Sequence, residues 1–144
     1  MKLHILAIGR ARGAYADLCA EYSKRMTGSL TIKELTAKSQ DAECKALMNA
    51  MPDKATIVLL DENGKDVTSR EFAAKIEKWQ DQGVRDLVFV IGGADGLNDE
   101  IKKRADFILG LGKKTWPHML ARTMLVEQLY RAQQINSGHP YHRD

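Results

Sequence analysis

The chain has 144 residues, 44% hydrophobic and 28% charged, with a formal net charge of +3. This excludes a disordered or disulfide-stapled chain and suits one domain spanning residues 1–144 with its own core. No apolar run approaches the roughly 18 residues that cross a bilayer, and Met1–Gly9 lacks the features of a signal peptide; a cytoplasmic protein without membrane contact is expected.

Residues 3–9 read as a buried strand ending at Gly9. Leu18, Tyr22, Arg25 and Met26 recur at helical spacing and predict a helix over 14–26. A second strand is expected over 30–36, then a helix over 40–50 capped by Ser39, with Ala42, Ala46, Leu47 and Ala50 inward. The run 55–60 is continuously apolar, as in a strand covered on both faces. Residues 61–65 read as a polar turn, and Thr68 or Ser69 caps a helix reaching Gln82, with Gly83 as its stop. Residues 86–91 form the strongest strand pattern and run into Gly92-Gly93-Ala94-Asp95-Gly96. A helix from Asn98 to Ala105, a short strand at 107–109 and a glycine-containing turn at 110–114 precede a long helix over 117–136. Strands that alternate with helices need crossovers, so the expected fold is α/β, a mostly parallel sheet flanked by helices.

In such sheets ligands bind beyond the carboxyl ends of the strands. Three ends stand out: Leu60-Asp61, Gly92-Gly93, and Leu111 to Trp116. Gly92 lets a ligand or another backbone come close. The Gly-Gly loop is not a dinucleotide fingerprint. Gly112-Lys113-Lys114-Thr115 is not a phosphate-binding P-loop either, because Phe107 stands where its first glycine would be. Pro117 is expected at the first helical position, which puts His118 in a first turn whose free N–H groups favour anions.

The last helix carries a broad apolar arc, with Ala121, Leu125, Leu129 and Ala132 widened by Val126 and Tyr130, which points to a second copy as partner. Glu127 and Arg131, four apart, read as a solvated surface pair. Residues 113–144 hold five basic residues (Lys113, Lys114, Arg122, Arg131, Arg143) against Glu127 and Asp144, an excess of +3 that equals the net charge of the chain. A sequence pI of about 8.9 is compatible with nucleic acid without specifying it. The tail His139-Pro140-Tyr141-His142-Arg143 offers an aromatic ring, a titratable imidazole and a guanidinium. Two histidines without a third ligand make no metal site. Cys19 and Cys44 form no C-x-x-C pair and read as small buried hydrophobes.

Several motifs together resemble the ribosomal RNA large subunit methyltransferase H family of the SPOUT (alpha/beta knot) methyltransferases. They are Phe89-Val90-Ile91-Gly92-Gly93-Ala94-Asp95-Gly96-Leu97, Thr115-Trp116-Pro117-His118, Leu125-Val126-Glu127-Gln128-Leu129-Tyr130-Arg131-Ala132 and the ending Pro140-Tyr141-His142-Arg143. The resemblance covers essentially the whole chain. It implies a homodimer with a C-terminal trefoil knot that uses S-adenosyl-L-methionine to methylate N3 of a pseudouridine in 23S rRNA. It places the cofactor on Leu60, Gly92, Leu111, Gly112, Lys113, Lys114, Thr115 and Trp116. It assigns the methyl-acceptor site to His118, Tyr141, His142 and Arg143, with the tail of one protomer serving the pocket of the other. Arg10 after Gly9, where lysine is common, and the bulky Trp116 depart from the family pattern. Two other readings stay open on the residues alone. One is a ribonuclease using His118 and His142 with Lys113 or Arg143; the other is a non-catalytic RNA-binding module.

Overall fold

A computed structural model describes all residues, 1–144. Its sheet has five parallel strands: β1 (Lys2–Ile8), β2 (Leu30–Leu35), β3 (Thr56–Asp66), β4 (Asp86–Ile91) and β5 (Phe107–Gly110), in the order β2-β1-β4-β3-β5. The helices are α1 (Ala14–Arg25), α2 (Gln40–Ala50), α3 (Ser69–Asp81), α4 (Asp99–Lys102) and α5 (His118–Asn136).

Each central strand feeds two cores, because successive side chains point to opposite faces. Leu3, Ile5, Ala7, Leu87, Phe89 and Ile91 pack beneath α1, α3 and α5. Leu6, Ile8, Val88 and Val90 pack with Cys44 and Leu47 of α2 and Ile101 of α4. Burial on both faces explains why these strands read as unbroken apolar runs. The helix starts are capped where the sequence provides for it. Ser39 accepts from the Ala42 N–H, and Thr68 with Glu71 forms a reciprocal capping box.

Three expectations need correction. The polar turn at 61–65 is instead the second leg of β3, which resumes pairing after a bulge, Lys65 with Leu109 and Asp66 with Gly110. Polar composition misleads there because this leg is exposed and held by backbone pairing. The helix expected to reach Ala105 stops at Lys102. Leu18 shares the helical spacing of Tyr22 and Met26, which pack on the core, yet is 45% exposed, while its neighbour Cys19 is buried. The broad arc of α5 needs no partner to cover it, since Leu125, Val126, Leu129, Tyr130 and Ala132 are buried within the chain between α1, α3 and the sheet.

One crossing shapes the site. The β3 extension passes directly over β5, and a Cβ placed on Gly64 would lie 2.5 Å from the Leu109 carbonyl carbon and 2.6 Å from the Gly110 nitrogen. Gly110 is tight in return, with a Cβ 2.7 Å from the Gly64 oxygen. Only two glycines let these backbones touch.

Candidate active site

A cavity of about 300 Å³ opens at the carboxyl ends of β3, β4 and β5. That places it at the small end of ligand pockets. Its walls include Leu60, Gly92, Leu111, Lys114, Thr115, Trp116 and His118, so three separate strand ends and the start of α5 converge on one space. Gly112 and Lys113 belong to the same β5–α5 loop but do not line the cavity.

The loop is built to hold its shape. Trp116 Nε1 donates to the Leu111 carbonyl at 2.7 Å and closes the loop on itself, and the Thr115 hydroxyl donates to the Glu62 carboxylate. Gly112 sits at φ 82, a left-handed conformation that favours glycine. On the β4 side, a Cβ on Gly92 would lie 3.0 Å from the Gly96 carbonyl carbon and oxygen, so backbone forms that wall.

Sequence reasoning named Asp61 at a strand end without assigning the acidic side of this cavity. Asp61, Glu62 and Asp95 line it, with Asn63, Gly96, Leu97 and Lys102. Lys102 Nζ stands 3.5 Å from Asp61 Oδ2. The signal available was the acidic pair directly after the apolar run of β3, at a strand end in an α/β order.

Pro117 precedes α5 rather than opening it. Its carbonyl accepts the first intrahelical bond, from the Ala121 N–H at 2.9 Å, and His118 is the first helical residue. No side chain caps this end. His118 Nε2 lies beside Gly9, where a Cβ would come within 3.4 Å.

The tail residues do not join the cavity of their own chain. Tyr141, His142 and Arg143 turn back over the C-terminal half of α5. The Tyr141 hydroxyl donates to Glu127 Oε1 at 3.0 Å, and its ring packs on Tyr130 at 4.8 Å and on the Arg131 guanidinium at 4.8 Å. Arg131 Nη2 donates to the same Glu127 oxygen at 2.6 Å, and Arg131 Nη1 meets His142 Nδ1 at 3.1 Å. His142 Nε2 lies 2.9 Å from Asp144, which also receives the Arg70 guanidinium of α3. The pair expected to be a solvated surface contact is thus half-buried and is the anchor of the tail. Arg143 alone stays exposed and without an ion-pair partner.

Burial and the Glu127 carboxylate push the Tyr141 phenol well above its ordinary range, so it remains a proton donor at neutral pH. The Glu127 bond, above all, raises the Arg131 guanidinium further, and that side chain stays charged.

The chain matches a family model described as "Predicted SPOUT methyltransferase" over residues 1–142. A ribosomal RNA large subunit methyltransferase H from Rhodospirillum centenum is 49% identical over 151 residues, covering 99% of both chains. Its counterpart from Zymomonas mobilis is 46% identical, covering 100% of this chain and 99% of that one. Among solved structures, a methylase family protein from Haemophilus influenzae superposes with a TM-score of 0.61 at 12% identity, covering 99% of this chain and 70% of the other. The SpoU methyltransferase AviRb from Streptomyces viridochromogenes gives 0.52 at 14% identity, covering 96% and 61%. These last two likenesses concern the fold.

Proposed function

The chain belongs to the SPOUT methyltransferase family, in its ribosomal RNA large subunit methyltransferase H group, and from that membership we propose that it methylates N3 of a pseudouridine in 23S rRNA. We take the whole chain as one domain that works in the cytoplasm as a homodimer. The observation that carries the reading is the convergence of the three strand ends on one small cavity with a backbone wall and an acidic side.

That cavity fits S-adenosyl-L-methionine, which carries a flat base, a sulfonium and an ammonium. Leu60, Ile91, Leu97, Leu109 and Trp116 offer apolar surface for the base. Asp61, Glu62 and Asp95 outnumber Lys102 and Lys114 in the lining, and that balance suits a cationic ligand. When bound, the cofactor supplies a methyl group already activated by its sulfonium. Leu60, Gly92, Leu111, Lys114, Thr115 and Trp116 would hold it from the cavity wall, with Gly112 and Lys113 shaping the loop.

The acceptor N3 carries a proton that must leave. His118, which lines the cavity, would receive it; His142, engaged by Arg131 and Asp144, is less free to do so. Arg143, exposed and unpaired, would stabilise the anionic ring. The bonds of Tyr141 to Glu127 and its packing on Arg131 favour positioning of the tail over stacking on a base. The tail lies away from the cavity of its own chain, which supports its service to the cavity of a second protomer. The groove bordered by Leu18, Tyr22, Phe72, Met124 and Gln128 offers a surface for that protomer. A ribonuclease is disfavoured, because it would leave the backbone-walled cavity at the three strand ends without a purpose.

The test combines two variants. A chain ending at Gly138 is expected to bind S-adenosyl-L-methionine in a calorimeter and to transfer no methyl group. Arg143→Ala is expected to bind equally and to lose transfer by about 100-fold, the scale of one oxyanion-stabilising donor. Native transfer by either variant would refute the assignment.

A further inference from the structure

The loop joining β1 to α1, Gly9-Arg10-Ala11-Arg12-Gly13, takes no part in the cavity and yet is tied down by a costly device. The Arg122 guanidinium of α5 is 1% exposed. Its Nη2 donates to the Ile8 carbonyl at 3.3 Å and to the Gly9 carbonyl at 3.0 Å, and its Nη1 donates to Glu34 Oε2 at 2.5 Å. The same Glu34 oxygen accepts the Ala11 N–H at 2.7 Å. Burying a guanidinium carries a desolvation penalty of several kcal/mol, and what this one achieves is a fixed loop.

Arg10 and Arg12 flank the tethered Ala11, and both side chains project from the loop without making an ion pair. Glu34, whose carboxylate feels the Arg10 charge, is already engaged through Oε2 by Ala11 and Arg122. The loop also adjoins the site. Gly9 abuts His118 and Met119, with a Cβ there falling 3.0 Å from Met119 Cε. The side chain of Ile8 reaches the Gly93 loop. Unpaired positive charge therefore stands outside the cavity, on a rigid loop, while the lining inside carries three carboxylates against Lys102 and Lys114.

We propose that this loop is a phosphate grip for the RNA strand that presents the acceptor base to His118, with Arg10 and Arg12 as the gripping side chains. The proposal rests on the RNA-methyltransferase reading above. Guanidinium groups bind phosphate through paired N–H donors, and a loop fixed beforehand loses little entropy on binding. Phosphate contacts orient the strand without reading its bases, which suits a small chain that must place one nucleotide.

The experiment measures binding of a 23S rRNA fragment, and methyl transfer to large ribosomal subunits, across a salt series. It compares wild type, R10Q/R12Q and a control, K2Q/R85Q, which removes two charges at the amino ends of β1 and β4, opposite the cavity. R10Q/R12Q is expected to raise the KM for subunits by about 10-fold and to leave kcat and cofactor affinity unchanged. Its log–log salt slope should be shallower by roughly 0.7–0.9 for each phosphate that the loop no longer neutralises. The control should match wild type. A wild-type KM and slope in R10Q/R12Q would overturn the grip. So would a fall in kcat at unchanged KM, or an equal loss in the control. If wild type transfers no methyl group, the functional reading fails instead, and the salt slope of RNA binding still decides the role of the loop.

Discussion

The Tyr141 phenol and the Arg131 guanidinium share one acceptor, Glu127 Oε1, at 3.0 and 2.6 Å. Through that atom the last residues of the chain are fixed to α5, and Arg143 is presented from a rigid base. Glu127→Gln should loosen the tail without touching the cavity. Since small misplacements at a reacting centre cost up to about 100-fold, transfer should fall at least 10-fold while calorimetric cofactor affinity stays at the wild-type value. Unchanged single-turnover rates would show that the anchor is dispensable.

The same phenol carries a pH signature. Its pKa is raised in the folded state, so the stability it contributes is fully present below the unfolded value of about 10 and is lost as pH rises beyond it. Tyr141→Phe should cost about 1 kcal/mol, the net worth of a half-buried hydrogen bond, at every pH from 6 to 9. The difference from wild type should shrink above pH 10. Urea denaturation across that range checks both parts.

Glu34 behaves in the opposite sense. The Ala11 N–H, and after it Arg122, holds the Glu34 carboxyl below its usual range. Its contribution is therefore present above the unfolded value of about 4.3 and lost as pH falls through the depressed one. Glu34→Gln leaves the Arg122 charge buried without a counter-ion. It should destabilise by about 2 kcal/mol at pH 7, a buried-pair loss reduced because the Glu34 side chain is 34% exposed. At pH 3 the gap between variant and wild type should be much smaller.

The crossing at Gly64 and Gly110 leaves no room for a methyl group, and its close neighbours are backbone atoms. Gly64→Ala should lift the β3 extension off β5 and disturb Asp61, Glu62 and Asn63 on the cavity wall. A loss of about 3 kcal/mol, the upper range for overpacking, should accompany a loss of measurable cofactor binding. Gly83→Ala, at a helix stop with nothing within 4 Å of its Cβ, should leave cofactor binding intact.

The order of strands and helices was legible because each strand is covered on both faces and reads as an apolar run, as in Leu87-Val88-Phe89-Val90. The strand ends at Leu60, Gly92 and Leu111 were legible as a site for the same topological reason. Composition could not show that residues 61–66 continue a strand, since their partners lie more than forty residues further along the chain. Spacing alone could not show that Glu127 and Arg131 serve the tail, because Tyr141 and His142 reach them only after the chain reverses at Gly138, where φ is 76. Arg122 looked like one more positive charge, and only the packing of α5 on the ends of β1 and β2 reveals it as a buried tether.

Methyl transfer to the ribosome tests the central claim most directly. Large subunits from cells lacking the modification are incubated with the protein and methyl-labelled S-adenosyl-L-methionine, and the labelled nucleotide is then mapped. One methyl group per subunit, on N3 of a single pseudouridine in 23S rRNA, is the expected result. No transfer, or label on another atom or another RNA, would contradict it.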